Sequence, residues 1–145
     1  MDITLERFAK AQNMDFQKAL NEIRNGQKQS HWMWYIFPQL KGLGHSSNSE
    51  YYGIVNIEEA KAFLNDAYLG SNIRKISAAL LALECNDVRL IMGSPDDKKL
   101  KSSMTLFSVA SGNEDVFRNV LDKFFNGEMD HRTLKMLGVY KSDKR

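Results

Sequence analysis

Ser30-His31-Trp32-Met33-Trp34-Tyr35-Ile36-Phe37-Pro38-Gln39-Leu40 is the stretch on which the fold turns. Between Ser30 and Pro38 almost every side chain is apolar or aromatic, so the segment has no polar face and must be buried. Periodicity alone leaves a short buried helix and a buried strand both open. Ser30 in an N-cap position, and helical patterns on the N-terminal side, favour a helix that Pro38 ends.

On that side, Phe16, Ala19, Leu20 and Ile23 recur at i, i+3, i+4 and i+7, one face of an amphipathic helix. Asp15 is expected to cap it and Gly26 to end it. An earlier turn or two, from Thr4 to Ala11, points Leu5 and Phe8 inward. After the aromatic stretch, Lys41 to Ser49 holds two glycines, three serines and an asparagine, a loop composition. Its strongly apolar flanks read as a loop pinned at both ends rather than a free linker. Asn56 is expected to cap a helix with Ala60, Phe63 and Leu64 inward, and Gly70-Ser71 to punctuate. Ile73, Ile76, Leu80 and Leu83 then form the most core-like helix. Ser94-Pro95-Asp96-Asp97 reads as cap, first helical position and acidic first turn of a helix running to about residue 110. Asn113 to Gly127 gives another, with Val116, Phe117, Val120, Leu121, Phe124 and Phe125 inward. Asp130 caps a last one carrying Leu134 and Leu137, closed by Gly138. No pair of alternating strands joined by a tight turn occurs. The expected fold is mainly α, a single compact domain over residues 1–145 with six to eight helices and the Gly/Ser-rich loop after the aromatic segment.

The chain has 145 residues, enough to bury roughly 70% of its unfolded surface in one core. Twenty basic and 18 acidic residues give a net charge of +2, too balanced to call for nucleic acid or a membrane. The basic run Lys141 to Arg145, interrupted by Asp143, reads as a solvated tail. Cys85 is the single cysteine, which excludes an internal disulfide and suits a reducing compartment. No apolar run approaches a membrane span, and charges occupy the N-terminus where a signal peptide needs apolar residues. The expected localisation is cytoplasmic. Oligomeric state is left open.

Gln12, Ala19-Leu20, Gly26, Lys28, Ser30 to Leu40, Gly42-Leu43-Gly44, Ser46, Ser49, Tyr52, Glu59-Ala60, Leu69-Gly70, Asp96-Asp97, Ser102 to Phe107 and Phe124-Phe125 together resemble the domain-of-unknown-function family 1810. The resemblance covers nearly the whole chain, and the string SHWMWYIFPQLKGLG is highly specific to it. It implies a compact, mainly helical fold and no established reaction. Members often bear the label calpastatin, an extended disordered inhibitor, which capped amphipathic helices and a full-sized core do not fit. The chain departs from the family pattern at Ala67-Tyr68, where members often have His-Pro, and at Asn72, where they often have arginine.

Candidate chemistry gathers at the edges of the aromatic stretch. His31 reads as a general acid or base in an aromatic pocket, or as a helix-start histidine satisfying nearby backbone. Trp32, Trp34 and Tyr35 suit stacking on a flat ligand or filling a core; on a helix, 32 and 35 share a face and 34 lies opposite. Gln39 either holds the loop or presents its amide to a ligand. The Gly42–Ser49 loop offers amides and the hydroxyls of Ser46 and Ser49 to an anion, without matching a phosphate-binding fingerprint. Lys99 sits in the first turns of its helix, where the dipole disfavours a cation and a bound anion would relieve it. Ser103 shares that helix's buried face, and Lys98, Ser102 and Thr105 lie on the adjoining side. Lys28 and Tyr52 complete the set. His31, His45, His131 and Cys85 lack metal-ligand spacing, and no cofactor is called for. No nucleophile-elbow motif supports a Ser-His-acid triad, and Cys85 reads as a packing residue at a helix end.

Two functions follow. One is a small-ligand-binding domain, a hydrolase or a sensor, holding an anionic nucleotide-like ligand between residues 28–52 and the Lys99/Ser103 helix. The other is a non-catalytic protein-interaction module. Convergence of His31, Trp32, Ser49 and Ser103 on one cavity favours the first; separate satisfaction of each in a dry core favours the second. Whether the chain is an enzyme stays open.

Overall fold

The stripe from Phe16 to Ile23 continues backwards at helical spacing through Gln12 and Phe8. In the computed structural model, which describes residues 4–139, this makes one helix, α1 (Glu6–Arg24), with no break at Asp15. Phe8, Gln12, Phe16, Ala19, Leu20 and Ile23 are its buried face. Asp15 lies inside the helix, and its carboxylate accepts the hydroxyl of Tyr35 instead of capping.

The aromatic stretch is helical but shorter than its composition suggested. α2 (Met33–Ile36) starts three residues after Ser30, because Ser30 is committed elsewhere. Glu22, near the end of α1, accepts the backbone N–H of Gln29 at 2.7 Å and of Ser30 at 2.9 Å. It also accepts the Ser30 hydroxyl at 2.6 Å and the Trp32 indole N–H at 2.9 Å. A lone carboxylate thus closes the reversal between α1 and α2 and satisfies the polar edge of a fully buried tryptophan. Lys28 locks the same turn from its other side. Its ammonium donates to the Ser30 carbonyl at 2.5 Å, lies 4.8 Å from the Trp32 ring centre and pairs with Asp96 at 2.8 Å.

A parallel bridge joins Leu40 to Ile54, with Lys41 N–H on the Ile54 carbonyl and Ile54 N–H on the Gln39 carbonyl, each at 2.9 Å. Inside it the loop ends earlier than its composition implied: Ser46 caps α3 (Ser47–Tyr52) by accepting Ser49 N–H. Arg7 holds this segment to the body. It forks onto Glu59 at 3.0 and 3.1 Å and donates to the carbonyls of Tyr51 and Gly53.

Asn56 caps α4 (Ile57–Asn65), with Ala60, Phe63 and Leu64 buried. α5 (Ala67–Ala82) runs straight through Gly70-Ser71, read above as a break, because Asp66 caps it by accepting the N–H of Tyr68 and Leu69. Gly70 is there for closeness: a Cβ would stand 2.1 Å from the Leu64 carbonyl oxygen. The carbonyls of Leu80, Leu81 and Leu83 at the other end of α5 receive the Lys123 ammonium. Cys85 is exposed in the following turn rather than packed, and the turn leads into α6 (Val88–Met92). Pro95 occupies the cap position of α7 (Asp96–Ser111), so this helix begins one residue later than the Ser94 cap implied, its first amides taken by the Gly93 and Pro95 carbonyls. α8 (Asp115–Phe125) and α9 (His131–Leu137) follow, the latter capped by Asp130.

Nine helices among the described residues differ from the expected six to eight because two merge into α1 while α3 and α6 are added. α4 and α8 each pack against both α5 and α7; α1 packs on α5 and α2, and α6 and α9 on α7. α7 is therefore surrounded, and its residues from Ser102 to Ser108 are all buried. No helix among the described residues is long and apolar enough to cross a membrane. The basic run Lys141 to Arg145 lies outside the described residues.

Two substitutions test this account. Burial raises the pKa of Glu22, but the hydrogen bonds from Ser30, Gln29 and Trp32 outweigh it and bring it from 4.5 to about 2. The resulting stabilisation is complete above the unfolded value of 4.5 and is lost as pH falls towards about 2. Discounted for solvent access, it is about 2 kcal/mol. Glu22→Gln therefore lowers the urea midpoint near neutral pH, and the gap to the parent narrows in acid. A gap that widens in acid contradicts the account. Gly70→Ala, which in an open helix stabilises by about 1 kcal/mol, here destabilises by about 2 kcal/mol through overpacking. Thermal unfolding reads the sign directly.

Candidate functional site

Ser49 and Tyr52 lie three apart on α3, so they share the face that meets α2. Across from them are Met33, Trp34 and Phe37, with Gln39 and Gly53 at the edge and Lys99 of α7 closing the end. These residues bound a cleft of about 250 Å³ whose enclosed space holds only about one water molecule. Gln39 and Lys99 also line a second, wider hollow of about 280 Å³ beside it. Its other walls are Leu43 and Gly44 of the loop, Pro95, Lys98 and Ser102 of the α7 segment, and Asp130 and Arg132 at α9. Gln39 and Lys99 border both, so the cleft and the hollow adjoin in one groove region, narrow and aromatic at one end, wide and basic at the other.

Gly44 is what lets the loop close against this groove. A Cβ there would stand 2.4 Å from the Ser49 hydroxyl oxygen and 3.6 Å from the Gln39 amide nitrogen. Without a side chain at residue 44, the Gln39 amide stays uncovered at the junction, and no described residue hydrogen-bonds it.

Three cations face the wide end. Lys99 lies 5.6 Å from the Trp34 ring centre and 3.8 Å from one Asp96 oxygen, while the other Asp96 oxygen holds Lys28 at 2.8 Å. Neither Lys98 nor Arg132 forms an ion pair among the described residues. Asp130 is the acid lining the hollow, and its carboxylate accepts the Thr133 N–H and hydroxyl at 2.9 and 2.6 Å. Near the narrow end, burial first and the Asp15 carboxylate second push the Tyr35 hydroxyl well above the usual tyrosine range. Burial, then the neighbouring Tyr51 and Asp15, push Tyr52 up as well. Both phenols are protonated donors at neutral pH.

The structure gathers Gln39, Ser49, Tyr52 and Lys99 from the sequence candidates around one groove. It sends the others elsewhere. His31 is exposed and lines neither the cleft nor the hollow, so the expected aromatic pocket around it does not form. Trp32 is fully buried and cannot stack on a ligand. Tyr35 is core, bonded through its hydroxyl to Asp15 and through its carbonyl to Gln12 at 2.8 Å. Ser30 and Lys28 belong to the turn at Glu22. Ser46 caps α3 and donates to the Ser49 hydroxyl at 3.0 Å. Ser103 is fully buried with its hydroxyl unpartnered, whereas Ser102 and Thr105 bond back to carbonyls four residues earlier. Of the four groups whose convergence was the criterion, then, only Ser49 lines the groove.

Trp34, Lys98, Ser102 and Arg132 are groove residues absent from the expected site. Trp34 carried a signal, since it lies opposite the buried 32/35 face. Lys98 and Ser102 were legible as one side of α7. Arg132 carried none, because only the packing of α9 on α7 brings it in. The family departures lie apart from the groove lining: Ala67 and Tyr68 are exposed at the start of α5, and Asn72 is buried, donating to Gln12 at 2.9 Å. Among the described residues no three metal-ligating side chains come together.

Comparison with known proteins agrees with this architecture. A crystal structure of the conserved hypothetical protein Rv1873 from Mycobacterium tuberculosis superposes with a TM-score of 0.90 at 40% sequence identity, covering 94% of this chain and 97% of that one. No curated protein matches the sequence. The pattern described as Protein of unknown function (DUF1810) matches residues 2–137, and the chain belongs to that family.

Proposed function

We propose that this protein is a small-ligand-binding domain, a sensor rather than a hydrolase, that takes an anionic nucleotide-like ligand in the groove between α2, α3, the 41–46 loop and α7. The observation that carries the reading is the sharing of Gln39 and Lys99 by an aromatic cleft and a basic hollow. The hollow, at about 280 Å³, lies just below the roughly 300–1,000 Å³ of ligand pockets, and the adjoining cleft extends it. Lys98, Lys99 and Arg132 hold the anionic part there. The Gln39 amide donates at the junction, and the Tyr52 side chain lines the narrow end. The flat part lies against the half-buried ring of Trp34. Binding without hydrolysis is preferred because His31 lies outside the groove and Asp130 is engaged by Thr133. The alternative of a protein-interaction module finds less support, since the exposed apolar side chains Met14, Tyr51, Val55, Tyr68, Leu90, Met136 and Val139 are distributed over α1, α3, α5, α6, α9 and the segments flanking them.

A thermal-shift panel of nucleoside phosphates, sugar phosphates and dinucleotides tests the reading. A ligand present at about one hundred times its Kd adds about 2.7 kcal/mol, a shift of several degrees in a domain of this size. Lys99→Ala and Trp34→Ala should each weaken binding about tenfold, about 1.4 kcal/mol. Silence across the whole panel rejects a nucleotide-like ligand. An undiminished shift in Lys99→Ala places the ligand outside this groove.

A further inference from the structure

The wide end of the groove has a countable charge. Lys98, Lys99 and Arg132 face it, and Asp130 is the acid among its lining residues, which leaves two positive charges in excess. Asp96, at the start of α7, does not change that count. Its nearer contact is the Lys28 ammonium at 2.8 Å, so those two cancel, and Lys99 is left at 3.8 Å. The flanking Lys101 is paired with Glu128 at 2.7 Å. On the loop side, Leu43 and Gly44 line the hollow, while the exposed Lys41 and His45 sit beside them without lining it. Ser102 adds a hydroxyl whose own bond, to the Lys98 carbonyl, is long at 3.4 Å and readily exchanged for a better acceptor. Two excess positive charges with hydroxyl and amide donors are matched by a compact dianion rather than by a monoanion.

On the reading of the groove given above, we propose that its ligand ends in a phosphomonoester, dianionic at neutral pH, and not in a carboxylate or a phosphodiester. Nucleotides and sugar phosphates share this terminal group, so the proposal concerns the phosphate end and leaves the other end to the aromatic cleft. It has a consequence that a general preference for anions lacks. A phosphomonoester takes up a proton with a pKa of about 6, so its dianionic fraction falls about fourfold between about pH 7.5 and pH 5.5. A phosphodiester stays a monoanion throughout. Any change that pH makes in the protein acts on both ligands, and the diester reports that effect alone.

The test is isothermal titration of the full chain with adenosine 5′-monophosphate, its methyl ester, adenosine and glucose 6-phosphate. Near pH 7.5 the monophosphate should bind about tenfold more tightly than its methyl ester, and adenosine more weakly than both. By about pH 5.5 the monophosphate should lose about threefold relative to the ester, because its protonated fraction binds as the ester does. Glucose 6-phosphate must show the same pH dependence whatever its absolute affinity. Arg132→Gln, an exposed change that removes one positive charge, should shrink the gap between monophosphate and ester. Equal affinity of monophosphate and ester at both pH values overturns the dianion proposal while leaving a nucleotide-like ligand in place. So does a gap that Arg132→Gln does not alter. No binding by any of the four overturns both proposals.

Discussion

The carboxylate of Glu22 is the point from which the arrangement of this molecule follows. A chain that leaves α1 and turns straight into an apolar segment has to satisfy two amides, a hydroxyl and an indole N–H close to the core, where water cannot reach all of them. Glu22 accepts all four. Trp32 is thereby held fully buried, and its ring becomes the floor on which Lys28 lies. Lys28 in turn holds Asp96 at the start of α7. One acid thus couples the end of α1, the entry to α2 and the beginning of α7, the three places whose relative positions set the walls of the groove.

With Trp32 fixed, the short α2 has no rotational freedom left. Met33, Tyr35, Ile36 and Phe37 go inward, and Trp34 is the aromatic residue turned towards α7 and Lys99. The far side of the groove depends on closeness. The bridge between Leu40 and Ile54 brings the loop back on itself, and Gly44 lets it lie against Ser49 without covering Gln39. α7 supplies the charge. Being packed on by four other helices, it is apolar or weakly polar along most of its length, and its lysines can stand only where its first turns emerge. The basic end of the groove is at that emergence.

Much of the fold was legible in residue order because it rests on local chemistry. The caps at Asn56 and Asp130 and the inward stripes of α4 and α8 follow from spacing and from side chains that bond to amides two or three residues away. Local rules failed where a distant partner claimed the residue. Ser30 reads as a cap, yet its hydroxyl goes to Glu22. Asp15 reads as a cap, yet it serves Tyr35. Gly70 reads as a breaker, yet it is the contact point between α5 and the end of α4. Ser94-Pro95 reads as cap and first turn, yet Pro95 takes the cap position. In each case the sequence shows that the residue is special, and tertiary packing decides for what.

The site divides along the same line. Gln39, Ser49, Tyr52 and Lys99 were identifiable because polar residues beside an apolar core segment have to face something other than that core. Trp32, Tyr35, Lys28 and Ser30 looked equivalent to them by the same criterion, and nothing local separates a polar group that lines a groove from one that meets a buried carboxylate. The sequence by itself determined family membership, helical class, most inward faces and the limits of several helices, because helix periodicity and capping act over three or four residues. The tertiary structure alone decided which tryptophan faces the groove, that His31 is on the surface, and that Arg132 joins Lys98 and Lys99. Those are outcomes of which helices pack together, and contacts between residues about thirty positions apart leave no periodic trace in the chain.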